Sequence, residues 1–219
     1  MLLDERAMDA TASLADDGGE ITIRRFERRR RLMAAAKRMF ARFGYDHMSV
    51  QGIALAADLD WQEYASHFHD KRGLLAAVLE DGWKGLLARL TDIASNSITA
   101  HSAILAMLAY MAGALQKDED LARLLLLEGR QPDPQGGGMA FSVGYRRFAQ
   151  LFRDQVARGQ RDGSFRPSAH PQVAASMLLG AFDGMLRDRI VAAQERSTTP
   201  YTGAELMSSF DALVASLKN

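Results

Sequence analysis

The sequence predicts an all-α protein of about nine helices. Three observations carry that expectation. All five prolines lie at or beyond position 132, so the first 131 residues lack the strongest helix breaker. Apolar residues recur at three- and four-residue steps almost throughout. No stretch alternates apolar and polar residues as a half-buried strand would.

Residues 1–20 hold six acids against Arg6 and close on Asp16-Asp17-Gly18-Gly19-Glu20, which reads as a disordered acidic leader. The first helix is expected from about Thr22 to Phe43, with Phe26, Met33, Ala36, Phe40 and Phe43 on one stripe. Gly44 ends it. A short second helix covers about Ser49 to Ala56, with Val50 and Ile53 facing inward. Ala57-Asp58-Leu59 makes a tight turn. The third helix, about Trp61 to Phe68, opens on an Asp60 N-cap, with Glu63 three positions on as in a capping box. The fourth starts near Lys71 and reaches about Ala94. A domain boundary is expected near residue 70.

Two further helices are expected over about Ser102 to Gln116 and Glu119 to Arg130. Acids at 118–120 suit the dipole at the start of the second of these. Gln131 to Gly138 reads as a flexible loop. A seventh helix runs from about Phe141 to Arg158 and ends at Gly159, before a turn at Asp162-Gly163 and an extended Phe165-Arg166-Pro167. The eighth starts near Pro171, a favoured first helical position, and reaches about Ala193. The ninth covers about Gly203 to Leu217.

The chain of 219 residues carries 27 Lys and Arg against 27 Asp and Glu, yet its bases are unevenly spread. Residues 21–72 hold eleven of them against six acids. A local basic segment in a neutral chain points to a polyanion, most often nucleic acid, although a solvated Arg-rich face gives the same pattern. The absence of cysteine excludes a disulfide scaffold, thiolate zinc sites, Cys-held iron–sulfur clusters and cysteine nucleophiles. No apolar run approaches the roughly 18–20 residues of a membrane span, and the acidic start is unlike a signal peptide. The cytoplasm is the expected compartment. No phosphate loop, HExxH or nucleophile elbow is present, so neither enzyme nor cofactor is expected. His67 and His69 do not share a helix face, and no metal site is expected.

Two helices of about two turns, joined by a tight turn and backed by a longer helix, form a helix-turn-helix, whose second helix enters the major groove. Val50, Ile53, Leu59, Tyr64 and Phe68 would pack them on the first helix. The sequence here resembles the TetR family of transcriptional regulators. The resemblance rests on Ala35 to Phe40, Phe43-Gly44-Tyr45, Ser49 to Ala54, Ala56 to Leu59, His67 to Lys71 and Leu74-Leu75, in order and without a gap. It implies an N-terminal three-helix DNA-binding domain over 21–70 and a helical ligand-binding and dimerisation domain over 71–219. Operator DNA would be double-stranded, with two recognition helices roughly 34 Å apart in a homodimer. Looser likeness at Leu121 to Glu128, Gly163 to Pro167 and Leu179 to Gly184 resembles members that sense acyl chains or other apolar effectors.

The reading head departs from the family pattern. Asp58 stands where Gly is common in the turn, and Ala65 replaces a Tyr that contacts phosphate, beside Tyr64. Asp58, Asp60 and Glu63 oppose the counterion-release contribution to DNA affinity. Either the operator is unusual, with Gln62 reading adenine and Glu63 cytosine, or the head binds weakly or not at all. The candidate DNA contacts are Arg24, Arg28, Ser49, Gln51, Trp61, Gln62, Glu63, Tyr64, His67 and Lys71.

Trp83, Met107, Tyr110, Met111, Phe141, Tyr145, Phe148 and Phe182 are the candidate lining of a pocket for a small, largely apolar effector. The same spacing also fits plain core packing. The eighth and ninth helices, with Met177, Leu178, Ala181, Phe182 and Met185 and then Leu206, Phe210, Leu213, Val214 and Leu217, are the expected homodimer interface. The expected function is a repressor released by its effector. The alternative is a ligand-binding or protein-interaction module of the same fold with a weakened or lost DNA head.

Overall fold

Helices form wherever apolar residues repeat at helical spacing, and their ends sit at capping residues. A computed structural model of the chain describes residues 5–128, 141–168, 170–198 and 201–218, with side chains from Glu20 onward. The described residues form α1 (Glu5–Phe43), α2 (Val50–Ala56), α3 (Trp61–His67), α4 (Lys71–Asn96) and α5 (Ala100–Lys117). They continue through α6 (Glu119–Leu127), α7 (Val143–Arg161), α8 (Pro171–Glu195) and α9 (Gly203–Ala215), with no strand among them. The expected loop over 131–138 and the end of the sixth helix at 129–130 lie outside the described residues.

The chain divides into two compact units, Met1–Val78 and Leu79–Asn219, and the division falls within α4. In the first unit, Leu32, Ala35, Ala36 and Phe40 of α1 bury against Ile53, Ala54, Tyr64 and Phe68. The stripe expected on α1 is shifted: Phe26 and Phe43 are exposed, and Leu32 and Ala35 are buried instead. α1 also begins at Glu5 rather than Thr22. Gly18 and Gly19 each cost about 1 kcal/mol in a helix, and no proline interrupts the run.

Caps set the head. Ser49 Oγ accepts from Gly52 N at 3.0 Å to start α2. Asp60 Oδ1 accepts from Glu63 N at 2.8 Å to start α3. The capping box is only half made, because Glu63 turns its carboxylate to Arg28 instead of to the cap. Asp58 takes φ 56°, the left-handed conformation that closes the turn.

In the second unit, α5 lies central and nearly all apolar, packed by α6, α7 and α9. α8 packs on α6, α7 and α9, with Phe182 and Phe210 stacked 6.5 Å apart. Gly159 does not end α7. It lies inside the helix and is buried, because any Cβ there would stand 2.3 Å from the ring of Phe165. The turn places Gly163 at φ 79°, and Phe165 returns to the core, where it is fully buried. Arg158 reaches from α7 to the end of α4, donating to Ala94 O, Ser97 O and Ile98 O at 2.8–3.1 Å.

Candidate functional site

The head is the first site. Its polar groups divide into those that hold its shape and those that face solvent. Ser49 is spent on the α2 cap. Lys71 donates to Tyr45 O at 2.8 Å and Met48 O at 3.0 Å, with its ammonium 4.2 Å over the Tyr45 ring. Tyr64 is fully buried, so it stands in the core rather than at a phosphate. Its hydroxyl has no partner among the described residues, and burial, then Asp70, pushes its pKa up to about 12. His67 is half-buried at the end of α3, and burial with Arg25, Arg29 and Arg28 holds its pKa down.

The arginines of α1 bind the head to itself. Arg28 meets Glu63 at 3.0 Å, and Arg31 meets the Asp58 carboxylate at 2.9 Å and its carbonyl at 3.1 Å. Arg29 donates to His67 O at 3.3 Å and lies 4.4 Å over the Phe68 ring. Arg25 donates to Ser66 O at 3.4 Å. These last two contacts place positive charge at the C-terminal end of α3, where the helix dipole favours it. Arg24 pairs along α1 with Glu20. Trp61, Gln62 and Gln51 remain exposed, and Trp61 stacks on Tyr64 with ring centroids 5.4 Å apart. Arg30, Arg38 and Arg72 are exposed and make no ion pair among the described residues; the candidate contacts did not include them.

The second site is a cavity of about 470 Å³ in the second unit. Of the expected residues, Trp83, Met111, Phe141, Tyr145, Phe148 and Phe182 line it. Met107 and Tyr110 do not: Met107 is fully buried in the core and Tyr110 packs against it. Spacing along α5 places a residue on a face but not on the side of the core that opens. The sequence reading missed Glu128, Arg153, Gln172, Asp183 and Arg187 on the lining. Burial, then Glu128 and Asp183, raises the Tyr145 pKa. Gly144 allows α7 to approach α4 closely, because a Cβ there would stand 2.3 Å from Trp83.

No family model and no curated protein matches the sequence. Solved structures match its fold. The transcriptional regulator FadR from Bacillus subtilis, in complex with stearoyl-CoA, aligns with a TM-score of 0.72 at 18% identity, covering 86% of this chain and 98% of its own. A regulatory protein of the TetR family from Rhodococcus RHA1 aligns at 0.71 and 20% identity, covering 88% and 97%. The ketosteroid transcriptional regulator KstR2 of Mycobacterium tuberculosis aligns at 0.66 and 19% identity, covering 88% and 95%. The chain has the TetR-family regulator fold. These TetR-fold neighbours are regulatory proteins rather than enzymes. Among the described residues, no helix is long and apolar enough to cross a membrane.

Proposed function

We propose that this TetR-fold protein is a dimeric DNA-binding transcriptional regulator, a repressor that a small, largely apolar effector releases from its operator. The observation that carries the reading is the exposed side of α3. Trp61 and Gln62 face solvent, as does Gln51 of α2, on a head whose other polar groups keep it rigid. Gln62 suits an adenine edge, and Trp61 supplies apolar contact. Glu63 can reach a cytosine only by leaving Arg28. The aromatic cavity in the second unit supports an effector site, and stearoyl-CoA bound to FadR supports an apolar body.

The expected dimer uses α8 and α9. Leu178, Phe182 and Met185, and Phe210, Val214 and Leu217, are buried within the chain. The outer face of α8 is what remains for a partner: Val173, Met177, Ala181 and Val191 are exposed, and open space surrounds Gly180 and Gly184. Effector binding then shifts the population toward a spacing of the two heads that no longer fits both half-sites.

Selection from a pool of random duplex DNA, at low and moderate salt, tests the reading. Enrichment of a palindromic site, lost in Trp61→Ala and Gln62→Ala, is expected. No enrichment at low salt from folded, dimeric protein overturns it. The weight then moves to a ligand-binding module with a silent head. The Arg28–Glu63 and Arg31–Asp58 pairs favour that second reading, because each occupies a cation that a phosphate would need.

A further inference from the structure

The cavity of the second unit combines an aromatic wall with an uneven distribution of charge. Trp83 and Phe148 have centroids 4.9 Å apart, Phe141 and Tyr145 are stacked at 4.7 Å, and Trp83 meets Tyr145 edge-on at 6.1 Å. Glu128 stands against this wall. One carboxylate oxygen accepts from the Trp83 indole N–H at 2.6 Å, and the other from the Ser142 backbone N–H at 2.7 Å. Both donors are neutral, so they orient the carboxylate without cancelling its charge.

The other charged groups on the lining are differently placed. Arg187 and Asp183 pair at 2.6 Å, so each offsets part of the other's charge. Arg153 is drawn to Gln150, donating from Nε at 3.0 Å and Nη2 at 2.7 Å along the exposed side of α7. The Tyr145 hydroxyl registers the balance. Apart from burial, the carboxylates Glu128 and Asp183 act on it more strongly than Arg153 does. Glu128 is thus the charged group that meets the aromatic wall directly, through the Trp83 indole.

We propose that the ligand of this cavity is an amphipathic organic cation, its apolar body on the Trp83–Tyr145–Phe148 wall and its positive centre facing the Glu128 carboxylate. Ring faces attract cations, most strongly where water is excluded. A half-buried carboxylate whose partners among the described residues are both neutral donors attracts an opposite charge. A cavity of about 470 Å³ takes a body of drug-like size. The proposal rests on reading the cavity as the effector site, and it replaces a merely apolar effector with a charged one.

Tetraphenylphosphonium and tetraphenylborate share a shape and differ in sign, so they isolate charge from apolar fit. Calorimetric titration of each into the full chain, without DNA, is the test. The phosphonium is expected to bind at least about tenfold more tightly than the borate. Glu128→Gln keeps an oxygen acceptor while removing the charge, and should erase most of that preference. Equal affinities, tighter binding of the borate, or binding of neither ion overturns the proposal, and the wild-type comparison decides it even should the variant not fold. The outcome is independent of the head: a phosphonium that binds the cavity but leaves a DNA complex intact keeps the cation site and removes the release mechanism.

Discussion

Asp58 and Glu63 carry opposite consequences for the head. Each holds an arginine of α1 in place, and each withholds that arginine from a phosphate. Asn tolerates the left-handed conformation of Asp58, so Asp58→Asn keeps the turn and the bond to the backbone carbonyl while removing the charge that neutralises Arg31. Glu63→Gln removes the charge that neutralises Arg28 in the same way. Each variant is expected to strengthen binding to random duplex DNA and to steepen its logarithmic salt dependence by about one. Fluorescence anisotropy across a salt series reads both effects, and an unchanged slope would place these arginines away from the phosphates. Tyr64 poses a different question. Its hydroxyl is buried without a partner, so Tyr64→Phe removes a cost rather than a bond and should leave stability equal or raised. Raising the phenol from 10.0 to about 12 means that the folded state holds this proton more tightly than the unfolded chain. That stabilisation is complete below pH 10 and is lost as pH rises toward about 12. Denaturant melts across that window should therefore show a shallower loss of stability in Tyr64→Phe than in the wild type.

Individual helices were legible in the sequence where local chemistry marks their ends. Ser49, Asp60 and Asp118 each accept a bond from a backbone N–H three residues on, and Pro171 opens α8. Gly159 was misread because its reason is tertiary. In isolation a glycine at that point reads as a stop, but here the ring of Phe165 occupies the space a side chain would need. Gly159→Ala is expected to cost about 1–3 kcal/mol, seen as an earlier midpoint in urea, because a fully buried ring cannot give way cheaply. The partners of Lys71 were not legible for a similar reason. Its charge suggested a phosphate, but its partners are carbonyls of Tyr45 and Met48, far earlier in the chain. In the cavity, the aromatic residues were legible from helical spacing and most of the polar ones were not. Glu128 gains its place only through Trp83 of α4 and Ser142 before α7, a meeting that no local pattern announces.

At the scale of the whole molecule, the proposed dimer depends on the outer face of α8. A Cβ at Gly184 would meet no atom of its own chain within 4 Å, and the position is exposed. Gly184→Arg should therefore leave the melting temperature of the subunit almost unchanged while converting a dimer to a monomer in sedimentation analysis. A dimer that persists would move the interface elsewhere. The self-paired head has a consequence of another kind. A protein that reads one site on a chromosome must find it among some 10⁶–10⁹ competitors. Where phosphate contact requires an existing ion pair to open, grip on arbitrary sequence is weak while contacts to the right bases are kept. Under the proposed function such a head would spend less time stalled on irrelevant DNA, and fewer copies would be titrated away by it. The carboxylates that lower affinity would then shorten the search.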